Sequence, residues 1–399
     1  NMISISNLVF RMKKNAVGLA TIAILSSMVL VTLVGAASIY AGKKDYLASA
    51  TPHDYSVAGN KVDLTSTKKL MDDFLIKTGE QANEEVAVSY LLFGIKNQET
   101  NKLTVFTKNE RKVVPKSIVL VFSQETFKQL TGKELNLSSN QIALYTKNKT
   151  LKTQKSLSID GKNYQIHRQL GDFINKKIPN IYKIIVSDYS YLVVPDIKIF
   201  ESSMKGTSIA QATYVGVNVK DPTHDAKKNS DLLDQMTDKA TQQLAGQTTG
   251  VSQSYLTANS RYDAEGMVNG FVGGTFFIGI FLSIIFMLGT VLVIYYKQIS
   301  EGYEDRERFV ILQKIGLDDL QVKQTIRKQV LTVFFLPLIF AFIHLAFAYH
   351  MISLIVRIIG VLNPDLMLVV TIIVCGVFFL AYVLVFALTS RSYRRIVSM

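Results

Sequence analysis

Residues that could carry out catalysis are few in this 399-residue sequence and lie far apart. The five histidines are scattered, and even His344 and His350 are six residues apart and do not share a helix face closely. The single cysteine, Cys375, excludes a disulfide within the chain. No H-E-x-x-H, G-x-S-x-G or phosphate-binding glycine motif is present. The sequence therefore predicts a chain that is not an enzyme and that binds no metal or cofactor itself.

Positive charge is concentrated in residues 101–183, which hold 16 Lys or Arg and 5 Asp or Glu, a net charge of +11. Such a surface attracts phosphates, anionic lipid headgroups or wall polymers. The alternative is a solvated lysine-rich surface that binds nothing. Few aromatic residues are interleaved with the lysines, so a nucleic-acid site is not expected. The candidate anion-binding residues are Lys147, Lys149, Lys152, Lys155, Lys162 and Arg168.

Four apolar blocks predict the elements that surround these residues. A membrane-spanning helix needs about 20 apolar residues, and each block meets this length without Asp, Glu, Lys or Arg in its interior. The blocks are Ala16–Tyr40, Phe271–Tyr296, Val330–Val356 and Leu366–Leu388. A cleaved signal peptide is the alternative for the first block, but its apolar core is longer than the usual ~7–15 residues. His344 is polar within the third block, and a hydrogen bond to a neighbouring helix is its favoured role. The small-residue pairs Gly270/Gly274 and Gly279/Ser283 suggest close helix contacts.

The distribution of Lys and Arg predicts the orientation of the spans. Residues 297–328 hold seven of them, whereas the turn between the third and fourth blocks holds only Arg357. The tail is basic as well, with Arg391, Arg394 and Arg395. We therefore expect a multi-pass protein of the cell membrane with both termini in the cytoplasm and a large domain outside it.

The fold class predicted is an α-helical membrane protein, with four transmembrane helices arranged one plus three, and a mixed α+β extracytoplasmic domain. Within that domain, the apolar patterns predict helices at Gln124–Thr131 and Ser230–Ala245 and strands at Ser117–Phe122 and Ala212–Val219. The polar segment Gly246–Asn259 resembles a linker. The predicted cytoplasmic flank and first span are residues 1–42, and the predicted outer domain is 43–266. The other three spans are predicted at 267–297, 330–357 and 365–390. Cytoplasmic coupling helices are predicted at 298–329 and a basic tail at 391–399.

The segment between the second and third blocks predicts a contact surface. Phe309, Leu312 and Ile315 are three residues apart and form one apolar stripe, with charges on the opposite face. Gly316 is a suitable residue to end this helix. The alternative is that the charges only solvate the loop. The candidate coupling residues are Glu301, Gly302, Tyr303, Arg306, Arg308 and Gly316.

This segment resembles the FtsX-like permease family of ABC transporters, most strongly at Arg308–Gly316. Three further stretches are similar to the bacitracin-resistance (Bce-type) branch of this family. They are Ile299–Asp305, Arg327–Gln329 and Phe334–Leu338, the last followed by His344. The resemblance covers residues 267–399 well and the first span moderately. Bce-type permeases have ten spans, with the large outer domain between the seventh and eighth. The resemblance thus implies that this chain corresponds to the last four. If the chain is complete, four-span members of the cell-division, lipoprotein or macrolide type match better.

The resemblance implies a bacterial permease subunit that works with a separate cytoplasmic ABC ATPase, which would form a dimer and bind the ATP. It also implies a ligand, either a peptide antibiotic such as bacitracin or a lipid pyrophosphate, and a sensor histidine kinase as a second partner. The lipid bilayer surrounds the spans. A membrane scaffold whose outer domain regulates a cell-wall enzyme is the alternative from a different functional class.

Overall fold

The computed structural model describes residues 16–108, 110, 115–179, 186, 188–222, 225–245, 254–314, 319–361 and 363–397. Side chains at 301, 305–314, 319–330, 332–333 and 390–397 are outside this description. The chain divides into two compact units. One is an inserted domain, Lys44–Asn269, and the other is a helical unit formed by the residues on either side of it.

The described residues form nine helices and ten strands, numbered here in chain order. The helices are α1 (Ala16–Ala50), α2 (Leu64–Thr78), α3 (Gln124–Thr131), α4 (Lys149–Lys152), α5 (Ile197–Ser203), α6 (Ala226–Ala245), α7 (Arg261–Lys314), α8 (Asp319–Ile358) and α9 (Pro364–Val397). The strands are β1 (Tyr55–Asn60), β2 (Ala82–Glu99), β3 (Lys102–Val105), β4 (Ser117–Ser123), β5 (Gln141–Thr146), β6 (Ser156–Ile159), β7 (Lys162–Gln169), β8 (Asp188–Val194), β9 (Ile209–Val219) and β10 (Tyr255–Ser260).

Helices α1, α7, α8 and α9 are each long and apolar enough to span a membrane. The sequence predicted a span that ends at residue 297 and separate coupling helices that begin at residue 298. This boundary is wrong in one respect, because α7 is a single helix of 54 residues that passes through it. Gly302 is the only residue near the boundary with weak helix propensity, and one glycine costs only about 1 kcal/mol. The coupling segment is therefore a continuation of the apolar helix up to Lys314.

Contacts within the helical unit orient its helices. Gly42 near the end of α1 packs so closely on Val361, in the α8–α9 turn, that an added Cβ would overlap the valine side chain. Gly18, near the start of α1, instead faces Lys297 of α7, whose Nζ would be 3.9 Å from an added Cβ. Gly42 and the α8–α9 turn therefore lie at one end of this unit, and Gly18 and Lys297 lie at the other.

The inserted domain contains one sheet of ten strands in the order β10-β1-β9-β2-β3-β6-β7-β5-β8-β4. Strand β2 also pairs with β4 through Leu91–Ile95, so the seven strands from β2 to β4 close into a barrel. Alternate side chains fill the barrel, and Phe200 of α5 and Leu151 of α4 pack into the same core. Three large residues of this core, Phe93, Val121 and Leu144, are at most 1% exposed.

The open part of the sheet carries a second core under α2 and α6. Phe74 of α2, Leu233 of α6 and Val215 of β9 are completely buried in it. Helix α2 begins where the Asp63 carboxylate accepts a hydrogen bond from Ser66 N at 2.8 Å, and it ends at Gly79 with φ of 72°. These two caps fix the helix on the sheet.

The interpretation of Gly246–Asn259 as a linker is wrong for its last five residues. Residues 255–259 belong to β10, which pairs antiparallel with β1 along six residues. The side chain of Thr241 on α6 hydrogen-bonds both the N–H and the C=O of Leu256, at 2.9 and 3.2 Å. Tertiary partners therefore stabilise a strand whose polar composition is typical of a loop.

Candidate functional site

Four of the candidate anion-binding residues cluster around α4, at the end of β5. Lys147 follows β5, Lys149 and Lys152 lie on α4, and Lys155 precedes β6. All four are exposed. We call these residues the α4 lysine group. Because Leu151 is anchored in the barrel core at 2% exposure, the lysines on either side of it point away from the barrel.

Asn148 holds α4 in place. Its Oδ1 accepts hydrogen bonds from the N–H groups of Thr150 and Leu151, at 3.0 and 3.2 Å. Its Nδ2 donates to Asp188 Oδ2 at 2.9 Å and to Gln98 Oε1 at 3.3 Å. One side chain thus caps the short helix and joins it to β8 and β2.

The members of the α4 lysine group differ in their surroundings. The Lys147 ammonium lies 5.3 Å from the centre of the Tyr189 ring. Among the described residues, no carboxylate forms an ion pair with Lys149, Lys152 or Lys155. Lys149, Lys152 and Lys155 thus carry exposed positive charge that no described carboxylate pairs with, and such a cluster is suited to an anion such as phosphate or pyrophosphate.

The structure separates Lys162 from the rest of the predicted set. Lys155 O accepts a hydrogen bond from Ile166 N at 2.9 Å, which places Ile166 beside the α4 lysine group. Arg168 lies two residues beyond Ile166, about 7 Å along the strand, whereas Lys162 lies four residues before it, about 13 Å away. Lys162 follows the tight turn at Asp160 and Gly161, at the other end of the β6–β7 hairpin.

A cavity of about 840 Å³ lies elsewhere in the inserted domain, between the end of α2 and the start of α6. Lys77, Lys227 and Asp231 line it together with Tyr262. Lys227 and Asp231 pair at 3.7 Å across one turn of α6. Since charges of both signs line this cavity, it is less suited to an anion than the α4 lysine group.

His344 on α8 hydrogen-bonds to a neighbouring helix, because its Nδ1 lies 3.1 Å from Ser27 Oγ of α1.

The structure describes only some of the predicted coupling residues. Gly302 of α7 is buried, and Tyr303 is 58% exposed. The backbones of Glu301, Arg306 and Arg308 are helical within α7, but their side chains lie outside the described residues. Gly316 also lies outside the described residues.

Sequence reasoning missed a cluster at the base of the inserted domain. Arg261, the first residue of α7, pairs with Asp54, with NH1 and Oδ1 2.9 Å apart. These two residues are 207 positions apart in the chain. No local pattern links them, and only the pairing of β1 with β10 could have indicated that they meet.

Among the described residues, no group of three His, Cys, Asp or Glu side chains is arranged to hold a metal ion. No protein-family model matches the chain. Comparison with curated proteins gives a consistent result. The chain is 23% identical over 352 residues to the ABC transporter permease protein YxdM of Bacillus subtilis (strain 168), a match that covers 87% of this chain and 51% of YxdM.

Two further matches come from the same organism. The uncharacterized ABC transporter permease YvcS is 30% identical over 121 residues, covering 30% of this chain and 18% of YvcS. The bacitracin export permease protein BceB is 29% identical over 140 residues, covering 35% of this chain and 19% of BceB. The chain is similar to ABC transporter permeases. The resemblance to this family, including its bacitracin permease branch, is thereby confirmed.

The chain spans about half the length of YxdM and a smaller part of the other two permeases. ABC transporter permeases are generally non-catalytic subunits that act with a separate ATPase. Together with the four apolar helices, these relatives indicate a membrane protein.

Proposed function

We propose that this chain is part of the permease subunit of a bacterial ABC transporter and couples a cytoplasmic ATPase to a ligand outside the cytoplasm. The observation that carries the proposal is the insertion of a folded, cation-bearing domain between two apolar helices of a permease relative. The chain itself binds no cofactor, and ATP binds to the partner.

The proposed arrangement has four spans, with the inserted domain outside and both termini in the cytoplasm. The contact of Gly42 with Val361 supports it, because within the helical unit this contact places the lysine-poor α8–α9 turn beside the part of α1 from which the chain continues into the inserted domain. Lys297 lies at the opposite end, where the basic segment 297–328 begins. A protease applied to intact cells should therefore cut within the inserted domain, and a tag after Met399 should be reachable only from the cytoplasm. The reverse pattern would overturn this orientation.

The ATPase is proposed to meet α7 and the segment that follows it, at Glu301–Arg308 and Gly316. The continuity of α7 supports this role, because one helix without a break runs from the inserted domain to the proposed contact. A movement of the ATPase, which would act as a dimer, is then passed along a single rigid element.

The experiment for this contact is co-purification of this chain with candidate ABC ATPases of the same organism. The variant R306E/R308E should lose the ATPase, while R357E, with a reversed charge in the last turn of α8, should retain it. Unchanged recruitment by R306E/R308E would exclude this contact surface.

The proposed ligand is a peptide antibiotic such as bacitracin, alone or bound to a lipid pyrophosphate, and a sensor histidine kinase is the proposed second partner. The α4 lysine group supports an anionic ligand, and the name of BceB supports bacitracin as the first peptide to test. If a cell-wall hydrolase co-purifies tightly instead, the scaffold alternative is correct.

The anion site is tested with inorganic pyrophosphate, undecaprenyl pyrophosphate and bacitracin on the purified chain. K149Q/K152Q/K155Q should weaken pyrophosphate binding about tenfold, from ~0.5 kcal/mol for each of three exposed charges. The control K96Q/K128Q/K162Q removes the same charge, but Lys96 and Lys128 already pair with Glu110 and Glu134. Equal losses in both variants would show that net charge alone attracts the anion and would exclude a site at α4.

A further inference from the structure

Four segments meet at the base of the inserted domain, a region that we call the root. Helix α1 ends at Ala50, β1 begins at Tyr55, β9 ends at Val219, and α7 begins at Arg261. The linking residues 51–54 are all buried, with His53 at 3% and Asp54 at 8% exposure. A short connection of this kind is normally exposed, so its burial indicates that the root is packed as part of the core.

Arg261 joins the two helix ends. Its Nε donates to Thr51 O at 3.3 Å, and its NH2 donates to Pro52 O. Its backbone N–H donates to Asp54 O at 2.8 Å. The guanidinium therefore occupies the carboxyl end of α1, where the helix dipole favours a positive charge. The first residue of α7 thus holds three of the four residues that link α1 to β1.

Asp54 connects Arg261 to the sheet. Its Oδ1 accepts from Arg261 NH1 at 2.9 Å, and its Oδ2 accepts from Val219 N at 3.0 Å, on the last residue of β9. Its own N–H donates to Asn218 Oδ1 at 3.1 Å. One carboxylate thus holds a helix end and a strand end at the same time, and both its oxygens are used.

The packing around this pair leaves little room for adjustment. The His53 ring hydrogen-bonds Tyr214 OH through Nδ1 at 2.8 Å. Gly216 of β9 faces that ring, and an added Cβ would overlap both His53 and Tyr214. Strand β9 therefore cannot slide past the residues that follow α1 without breaking these contacts.

A second connection from α1 to the domain differs in kind. Asp45 on α1 pairs with Lys176 at 3.4 Å, and their side chains are 39% and 55% exposed. Exposed pairs of this sort contribute little to stability and are easily broken. The Arg261–Asp54 pair is 33% and 10% exposed by comparison, and it is shared with three backbone groups.

We propose that Arg261 is a positioning residue that makes the ends of α1 and α7 one mechanical joint, through which helix movement enters the sheet at Asp54 and Val219. The joint is a property of the chain itself. It rests on the proposed function only for the source of the movement, which is the ATPase.

The first test uses the full chain in nanodiscs without an ATPase and measures hydrogen exchange by mass spectrometry. R261A should speed exchange about tenfold or more in three segments together, 44–54, 212–222 and 255–265, because all three depend on one interaction. Barrel segments 117–122 and 190–194 should not change. R261K should restore part of the protection, and K176A should affect only residues near 170–179. Faster exchange confined to 255–265 would show that Arg261 is only a local helix cap and would overturn the joint.

The second test adds the ATPase and compares the nucleotide-free complex with the vanadate-trapped one. Segment 212–222 should differ in exchange between these states in the natural chain and in K176A, but not in R261A, although the ATPase bound to R261A should hydrolyse ATP at the same rate as the ATPase bound to the natural chain. A difference retained in R261A would overturn the joint. If no ATPase binds the natural chain, the proposed function fails, and the first test still decides whether the joint exists.

Discussion

Gly279 of α7 lies directly against Ala36 of α1, and a Cβ added to the glycine would overlap the Cβ of the alanine and lie 3.5 Å from Thr32 O. One turn further along α7, Ser283 Oγ lies 3.0 Å from Thr32 Oγ1. Small residues thus let two apolar helices approach closely and add an interhelical hydrogen bond. The Gly279/Ser283 pair makes the close contact predicted from the sequence, whereas Gly270 and Gly274 have no neighbour within 4 Å.

This contact predicts opposite effects for the same substitution at two glycines. G279A should destabilise the helical unit by about 1–3 kcal/mol, because the added methyl group has no space. G376A on α9 meets nothing within 4 Å and should be neutral or stabilising by up to about 1 kcal/mol, since alanine favours helices. Unfolding in detergent mixtures measures both values. Equal effects would contradict the close packing of α1 and α7.

The hydrogen bond between Ser27 and His344 predicts a measurable coupling between α1 and α8. Interhelical hydrogen bonds in membrane proteins contribute about 0.6 kcal/mol on average and at most ~1.7 kcal/mol. A double-mutant cycle with S27A, H344L and the combined variant should give a coupling energy in this range. A coupling indistinguishable from zero would mean that the pair does not hold the two helices together. S38A serves as a control, because Ser38 Oγ is buried without a hydrogen-bond partner among the described residues.

His53 predicts a pH dependence for the inserted domain. Burial lowers the pKa of its imidazole, and Arg261 acts in the same direction, while Glu84 and Asp54 act against it. Because the pKa is lower in the folded chain, at a pH between the folded and unfolded pKa values the unfolded chain binds a proton that the folded chain does not. Stability is therefore fully present above the unfolded pKa of about 6.5 and is lost as the pH falls from there toward the folded pKa.

The free energy of unfolding should fall by at most about 1.4 kcal/mol per pH unit below pH 6.5 through this group. Calorimetry of the full chain between pH 5 and 8 measures it. H53Q should flatten the profile, since glutamine does not titrate, and H167Q at an exposed site on β7 should leave it unchanged. A profile of H53Q that matches the natural chain would show that other groups cause the dependence.

Elements with complete local signals were predictable from the sequence. Helix α3 was predicted with both ends correct, because Ser123 caps its start, with its Oγ 3.0 Å from Thr126 N, and Gly132 ends it at φ of 70°. The strand predicted at Ser117–Phe122 is confirmed as β4, since its side chains are apolar almost throughout and it pairs with β8 on one side and β2 on the other. These elements carry their own information within a few residues.

Features that depend on distant pairings were not predictable. Strands β1 and β10 were missed because both are short and polar, and each is stabilised by the other. The closure of the barrel rests on Leu91–Ile95 pairing with β4 while the rest of β2 pairs elsewhere, which no local pattern specifies. The lysines of α4 were found by charge alone, but their separation from Lys162 required the register of the β6–β7 hairpin.

The cap of α4 gives a final prediction, which links the fold of the barrel to its proposed ligand. Asn148 is the only described residue whose side chain caps α4, and it also holds Asp188 and Gln98. N148A removes the acceptor for Thr150 N and Leu151 N and should cost about 1 kcal/mol of stability. Because Lys149 and Lys152 are carried on this single turn, N148A should also weaken pyrophosphate binding without removing any charge.

N148S is the matched variant, because serine is also a good helix cap but lacks the amide NH2 that donates to Asp188 and Gln98. If the position of α4 determines affinity, N148S should bind pyrophosphate more tightly than N148A at every salt concentration. Isothermal titration at two salt concentrations measures this, together with the unfolding free energy of both variants. Equal affinity of N148A and the natural chain would mean that the lysines act as a diffuse charge, whose effect does not depend on how α4 is held.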